Sequence, residues 1–413
     1  MGTDSLSALG MNGQSYSAAT TRAWIEVDLG ALVRNAATLA RHAGVPLLPM
    51  VKADAYGLGA VEVTRALESL EPWGYGVGTV DEGVELRSAG ITRPIVVFTP
   101  LWRGDWPILR AACLTPVLDR ADEILEWGAT GGGDWQLAVE TGMNRAGVPW
   151  DAVGELAATL REVPPQGVFT HFYSAERMDG TREVQEARFH AALEALPARP
   201  PLIHAENSAG VEHGTSSAYD LVRPGVFLYG VDSGGMDGAE PVVALRARVV
   251  ELHDIADGET VSYGASWRAR GQRRIATLSV GYADGYRRSL SNRGTVMLHG
   301  RQAPVAGVVT MDMTMVDVTG IPCEIGDVAT LIGSEGPSGP TITIMDLARA
   351  AELSPYELLT GLRERLPRIY LTSGAEDLVR EASGDPSSAA AAEPEESDRS
   401  VRSARARAME RGQ

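Results

Sequence analysis

Residues 47–80 read LLPMVKADAYGLGAVEVTRALESLEPWGYGVGTV. Two apolar runs, 47–53 and 74–80, flank a stretch at 60–70 whose apolar residues recur at helical spacing. The runs have strand length, and the stretch between them can carry the chain back across a sheet. Together they predict one β-α-β unit with parallel strands. Outward from this unit the pattern repeats. Apolar runs at 25–29, 95–99, 115–118, 136–140, 168–172, 202–206 and 221–223 alternate with helical patterns such as 32–42, 81–89 and 182–196. About eight such units over roughly 210 residues predict an α/β fold, an N-terminal (β/α)8 TIM-type barrel. On periodicity alone an open doubly wound sheet is the alternative.

The stretch Asp232-Ser233-Gly234-Gly235-Met236-Asp237-Gly238 interrupts the repeat. Beyond it, apolar runs at 245–255, 274–280, 294–298, 303–318 and 328–332 are separated by turn residues, with a helical stretch at 345–362. A separate, mainly β C-terminal domain is expected there. Residues 1–21 lack the basic start and apolar core of a secretory signal and read as a disordered leader. The expected division is leader 1–21, barrel 22–238, β domain 239–375 and a disordered Ser/Ala/Glu/Arg-rich tail 376–413. A formal charge of -17 and a pI near 4.9 exclude nucleic acid and anionic membrane as partners. No run approaches the roughly 18 apolar residues of a membrane span. Cys113 and Cys323 are far apart and lack metal-ligand spacing, so the expectation is no metal and a cytoplasmic protein with reduced thiols.

The chain has one lysine, Lys52, so 36 of its 37 Lys and Arg residues are arginine. A bias toward arginine explains the loss elsewhere but not the survivor. Arginine stays protonated, whereas lysine can lose its proton and attack a carbonyl carbon. Lys52 is therefore the candidate for holding an aldehyde cofactor covalently. It lies at the C-terminal end of an expected strand, where barrels build their sites. Tyr56 follows at the same rim, either to reach a phosphate oxygen or to pack. Three further clusters fall at strand ends on that face. They are Thr170-His171-Phe172, His204-Ala205-Glu206-Asn207-Ser208-Ala209-Gly210 and Leu221-Val222-Arg223-Pro224-Gly225-Val226. The Ser208 hydroxyl and nearby N–H groups could hold phosphate at a helix start, and Gly225 lets an anion approach the backbone.

Val51-Lys52-Ala53-Asp54-Ala55-Tyr56-Gly57 resembles the pyridoxal-phosphate signature of the alanine racemases. Further stretches resemble that family in chain order: Glu140-Thr141-Gly142-Met143-Asn144-Arg145-Ala146-Gly147, Thr170-His171-Phe172, Asn207-Ser208-Ala209, Arg223-Pro224-Gly225, Ser262-Tyr263-Gly264-Ala265, Gly281-Tyr282-Ala283-Asp284-Gly285 and Met311-Asp312-Met313. The resemblance implies a barrel plus β domain with pyridoxal 5'-phosphate bound covalently to Lys52. It implies phosphate contacts from Tyr56, Ser208, Tyr356 and the backbone of Gly225 and Val226. Arg223 is then the partner of the pyridine nitrogen, and His171 joins that arginine in a hydrogen-bond chain to Tyr263. In a homodimer with shared active sites, Tyr263 arrives from the partner subunit. Arg145 and the Met311 N–H bind the substrate carboxylate, and Tyr282 stands near the substrate entrance.

The implied activity is interconversion of L- and D-alanine by two bases, Lys52 and Tyr263, on opposite faces of Cα. Both have ordinary pKa values near 10, so each needs desolvation or neighbouring positive charge to act near neutrality. Arg223 against the pyridine nitrogen limits carbanion delocalisation into the ring and so disfavours side reactions. The product would supply D-alanine for peptidoglycan. A broad-specificity amino-acid or serine racemase is the alternative, with Tyr356 favouring small side chains. A decarboxylase on the same architecture is disfavoured because its catalytic-cysteine motif is missing. A cofactor-carrying barrel protein would resemble the first domain only.

Four positions depart from the family pattern. Ala138 stands where many members carry a modified lysine that holds the equivalent of Arg145, so a bound chloride or another side chain is expected to orient that arginine. Glu140 replaces the usual Asp, Glu206 a small or apolar residue, and Tyr173 adds bulk after the histidine motif.

Overall fold

Six short strands lie side by side and parallel: Tyr75–Val77, Ile95–Val97, Thr115–Leu118, Gln136–Glu140, Gly167–Phe169 and Leu202–His204. The computed structural model describes residues 7–9, 15–214, 217–236, 238–336 and 339–372. Two further staves, around 47–50 and 221–223, close the sheet through parallel bridges of Met50 with Gly76, Leu47 with Val222 and Asn207 with Arg223. The closure is hydrogen-bonded: Gly76 N–H to Pro49 O at 2.9 Å, Leu48 N–H to Val222 O at 2.8 Å, and Arg223 N–H to Glu206 O at 2.9 Å. Inside, Leu48, Val96, Val117, Ala138, Phe169 and Leu221 form one buried apolar layer, as expected of a filled barrel.

The helix Leu29–Ala43 starts where Asp28 accepts the Ala31 N–H and stops at Gly44, whose φ of 69° reverses the chain. Thr79 and Glu82 form a capping box at the start of Val80–Ser88. The helix Thr181–Glu194 packs its buried Gln185, Phe189 and Ala192 inward.

One expected barrel strand belongs elsewhere. Ala23–Asp28 pairs antiparallel with Val243–Ile255 and parallel with Arg368–Leu371. Its largely buried, apolar run suits either sheet, and only the partners available in three dimensions decide between them. It completes a second sheet that runs Arg301–Pro304, Thr295–Leu298, Val328–Ser334, Val243–Ile255, Arg273–Leu278 and Thr314–Asp317. The 13-residue strand Val243–Ile255 changes partner along its length, with a register shift between Val249 and Glu251.

The helical stretch expected at 345–362 is two helices, Ile344–Ala351 and Pro355–Thr360. Glu352 turns left-handed at φ 56°, and Ser354 caps the second helix with Pro355 at its first position. Within the stretch expected to be a disordered leader, Ser7–Leu9 and Ser15–Ser17 pair antiparallel. Residues 1–6 and 10–14, and the tail expected at 376–413, lie outside the described residues. Among the described residues no helix is long and apolar enough to cross a membrane, and no three His, Cys, Asp or Glu side chains are grouped to hold a metal.

Candidate active site

Lys52 opens a helical turn, Lys52–Gly57, that winds the unusual way. Ala53, Asp54, Ala55 and Tyr56 have φ between 51 and 57°, and Gly57 follows at 84°. Left-handed backbone costs an L-residue roughly 1–2 kcal/mol, so four in succession must be held from outside. Glu82 does so with both oxygens, accepting the Ala53 N–H at 2.7 Å and the Gly78 N–H at 2.7 Å. Asp54 accepts the Ala60 N–H at 2.7 Å, and Arg368 donates to Gly57 O at 2.8 Å. The Tyr56 ring stacks on Tyr229 at 4.6 Å, and the Tyr229 hydroxyl donates to Met50 O at 2.8 Å. At Gly57 a Cβ would lie 2.7 Å from Leu359 O, so the turn must end on glycine.

Lys52 is exposed at the rim, and the partial burial of its amine by the surrounding loops lowers its pKa. The charge of Arg145 lowers it further, Glu82 opposes, and Arg223 adds to the lowering. A larger neutral fraction is what a nucleophilic and basic amine requires.

Beside the turn, Ser208 begins the short helix Ser208–Glu212, where Asn207 caps the Gly210 N–H at 3.0 Å. The Ser208 Oγ accepts the Gly225 N–H at 2.9 Å, which brings the 223–226 loop against this helix. A Cβ on Gly225 would lie 2.6 Å from the Tyr56 hydroxyl. Tyr56, Ser208, Gly225 and the adjoining Val226 therefore converge on one small polar cradle. Tyr356, 47% exposed, comes from the helix Pro355–Thr360 to within 6.3 Å of the Tyr56 ring.

Arg223 is a buried cation with no carboxylate in its hydrogen-bond set. It donates to Thr170 O at 2.7 Å, Ala205 O at 2.9 Å and His204 Nδ1 at 2.6 Å, and lies over the Phe169 ring at 5.1 Å. Burial pulls its pKa down to about 9, with Glu206 opposing. Because His204 Nδ1 accepts, its Nε2–H donates to Gln136 Oε1 at 2.9 Å. Burial, reinforced by Arg223, holds His204 well below the ordinary histidine range, which agrees with a neutral ring.

Among the described residues the histidine hydrogen-bonded to Arg223 is His204. His171 stands half-buried at the rim. Burial, then Arg223, Arg145 and Lys52, pull its pKa down to about 3. His204 was visible in the sequence as the first residue of a polar strand-end cluster, but nothing local gave it a role. Glu82 and Gln136 carried no signal of their own.

Arg145 sits on an exposed loop closed by Glu140, whose carboxylate accepts the backbone N–H groups of Gly142 and Arg145. Gly147 N–H anchors the far side of the loop on Asp119 at 2.7 Å. Among the described residues no hydrogen bond or ion pair reaches the Arg145 guanidinium.

Tyr263, Tyr282 and Met311 gather on a different surface, the loops of the β domain. Ser262 Oγ donates to Val308 O at 2.8 Å, and Tyr282 N–H to Thr310 O at 3.0 Å, which ties the three loops together. Tyr263 is 73% exposed and Met311 53%. Among the described residues neither is joined to Lys52 by a hydrogen bond. The expected site residues thus form two sets, one around the barrel mouth and one on the β-domain loops.

The family model of the alanine racemase N-terminal domain matches residues 27–233, and that of the C-terminal domain matches residues 242–370. The chain belongs to the alanine racemase family. The alanine racemase of Geobacter sp. (strain M21) is 36% identical over 372 residues, 84% of this chain and 98% of the relative. That of Symbiobacterium thermophilum is 39% identical over 369 residues, 84% of this chain and 96% of the relative. The crystal structure of alanine racemase from Bartonella henselae with covalently bound pyridoxal phosphate aligns with a TM-score of 0.78 at 29% identity, covering 85% of this chain and 100% of that one. Within the alanine racemase family, the departure at Ala138 has a structural counterpart here. Ala138 packs in the apolar layer of Leu48, Val96, Val117, Phe169 and Leu221.

Proposed function

We propose that this protein is a cytoplasmic, homodimeric alanine racemase that holds pyridoxal phosphate at Lys52 and supplies D-alanine for peptidoglycan. The reading rests on one observation above the others. The chain's single lysine stands at the barrel mouth on a strained turn, its pKa lowered by burial and by Arg145. The residues fit the cofactor. The cradle of Tyr56, Ser208, Gly225, Val226 and Tyr356 suits the phosphate, and the buried Arg223, without a carboxylate partner, suits the pyridine nitrogen.

Bound pyridoxal phosphate supplies the electron sink that acidifies the substrate Cα–H. Everything else falls to the protein. Arg145 and the Met311 N–H hold the carboxylate, fixing which two faces of Cα the bases meet. The Lys52 amine takes or returns a proton on one face, and the Tyr263 oxygen on the other. Tyr263, Tyr282 and Met311 come from the partner subunit, in keeping with their exposure on the isolated chain. In this division the barrel spans 22–238, apart from the strand Ala23–Asp28 that pairs with Val243–Ile255, and the β domain spans 239–375.

The test is α-proton exchange in D₂O, followed by NMR and chiral analysis, on the dimer with pyridoxal phosphate. Fast exchange with inversion for alanine and little for serine or larger amino acids is expected. Comparable inversion of the larger substrates makes the enzyme a broad-specificity racemase, and bound cofactor without any exchange defeats the racemase reading.

A further inference from the structure

Gln185 lies behind the site on the helix Thr181–Glu194 and is 1% exposed. All its hydrogen-bonding groups are used, and each reaches a loop that carries a site residue. Its Nε2 donates to Thr141 Oγ1 at 3.1 Å and to His171 O at 3.3 Å, while its Oε1 accepts the Tyr173 N–H at 3.1 Å. Thr141 opens the loop that ends in Arg145. Its Oγ1 shares a 2.7 Å hydrogen bond with Thr170 Oγ1, and Thr170 O accepts from Arg223 at 2.7 Å. One helical turn further on, Arg188 donates to Thr141 O at 2.8 Å. The Tyr173 ring, fixed by its own backbone bond to Gln185, covers Gly142, where a Cβ would lie 3.0 Å from it.

A buried amide satisfied at every atom is rigid, because any movement strands a polar group away from water. The Arg145 guanidinium has no hydrogen-bond partner among the described residues, so its place depends on how its loop is anchored. We propose that Gln185 is a positioning residue: it locks the Arg145 loop to the His171 loop and so sets the carboxylate-binding guanidinium relative to Lys52 and Arg223. This rests on the reading of Arg145 as the carboxylate ligand.

The experiment uses Gln185→Met and Gln185→Glu in the cofactor-loaded dimer, with propionate as a carboxylate probe that lacks the amino group. Misplacing a binding group by a fraction of an ångström is expected to raise both the KM for alanine and the propionate Ki about tenfold, with kcat and cofactor affinity changed less than about threefold. Gln185→Glu keeps the acceptor for Tyr173 N–H and at most one donor, on a protonated carboxyl, so the links to Thr141 and His171 cannot both survive and KM and Ki must still rise. Wild-type KM and Ki in Gln185→Glu overturn the proposal, as does a loss confined to kcat or to cofactor affinity. Thr141→Val cuts the same link from the other side and carries the test if the Gln185 variants do not fold. Arg145→Gln is measured in parallel. Unchanged KM and Ki there defeat the assignment of Arg145, whereas a rise there with none in the Gln185 and Thr141 variants defeats only the positioning role.

Discussion

Arg182→Leu removes the cation that faces the buried carboxylate of Glu206, directly behind the phosphate cradle. Arg182 Nη2 stands 2.8 Å from Glu206 Oε1, and its Nη1 donates to Gly210 O at 3.0 Å. The Glu206 side chain is 2% exposed against 19% for Arg182. Stripping one partner from a buried pair costs roughly 3–5 kcal/mol, and the partial exposure of Arg182 places this case at the low end, about 3 kcal/mol. At about 2.1 cal/mol/K of unfolding entropy per residue, a 413-residue chain shifts by roughly 1.2 °C per kcal/mol, so Tm should fall by about 4 °C.

The loss should also depend on pH. Burial holds the Glu206 pKa above its ordinary value, with Ser217 and Arg182 opposing. A carboxyl with a raised folded pKa binds its proton more tightly when folded, so its stability cost is absent at low pH and grows as pH rises through the folded pKa. Without Arg182 that pKa climbs further. The deficit is therefore expected in full at alkaline pH and to shrink at acid pH. Scanning calorimetry of the cofactor-loaded protein, at one fixed excess of pyridoxal phosphate, reads both effects. The double variant Arg182→Leu with Glu206→Gln should regain most of the stability. An equal loss at both pH values, or a double variant no better than the single, refutes the reasoning.

Two more outcomes are expected. Mixing inactive Lys52→Ala and Tyr263→Phe chains after dissociation should restore about a quarter of wild-type activity, since half the dimers are mixed and each then has one intact site; no recovery by the racemase assay, despite mixed dimers on native mass spectrometry, excludes a shared site. Gly225→Ala puts a Cβ 2.6 Å from a Tyr56 hydroxyl held in place by stacking on Tyr229. Overpacking of this kind costs roughly 1–3 kcal/mol, so affinity for pyridoxal phosphate should fall about tenfold in an absorbance titration, and a change under twofold counts against the cradle.

Much of the architecture was legible in the sequence. All eight barrel staves coincide with apolar runs, because the β-α-β repeat is written in local hydrophobic spacing. The run at 25–29 was equally strand-like, yet its partners, Val243–Ile255 and Arg368–Leu371, lie more than 200 and 300 residues away and leave no mark on its own window. Lys52 was legible for a different reason, as the one residue that arginine cannot replace. The bond between His204 and Arg223 was not. Both His171 and His204 end strands on the same face, and only the closed barrel brings His204 Nδ1 to 2.6 Å from the guanidinium.

The sequence by itself determined the parallel repeat, the β-rich second half and the single lysine, since each depends on residue type and short-range spacing. The tertiary structure decided the hand of the Lys52–Gly57 turn, which no local preference favours and which Glu82, Arg368 and Tyr229 impose from outside. It also decided the division of the site into a barrel set and a β-domain set, and the choice of Gln185 as the tie between two loops. These are outcomes of packing and hydrogen-bond satisfaction between segments far apart in the chain, where the identity of each residue matters less than which other residue it meets.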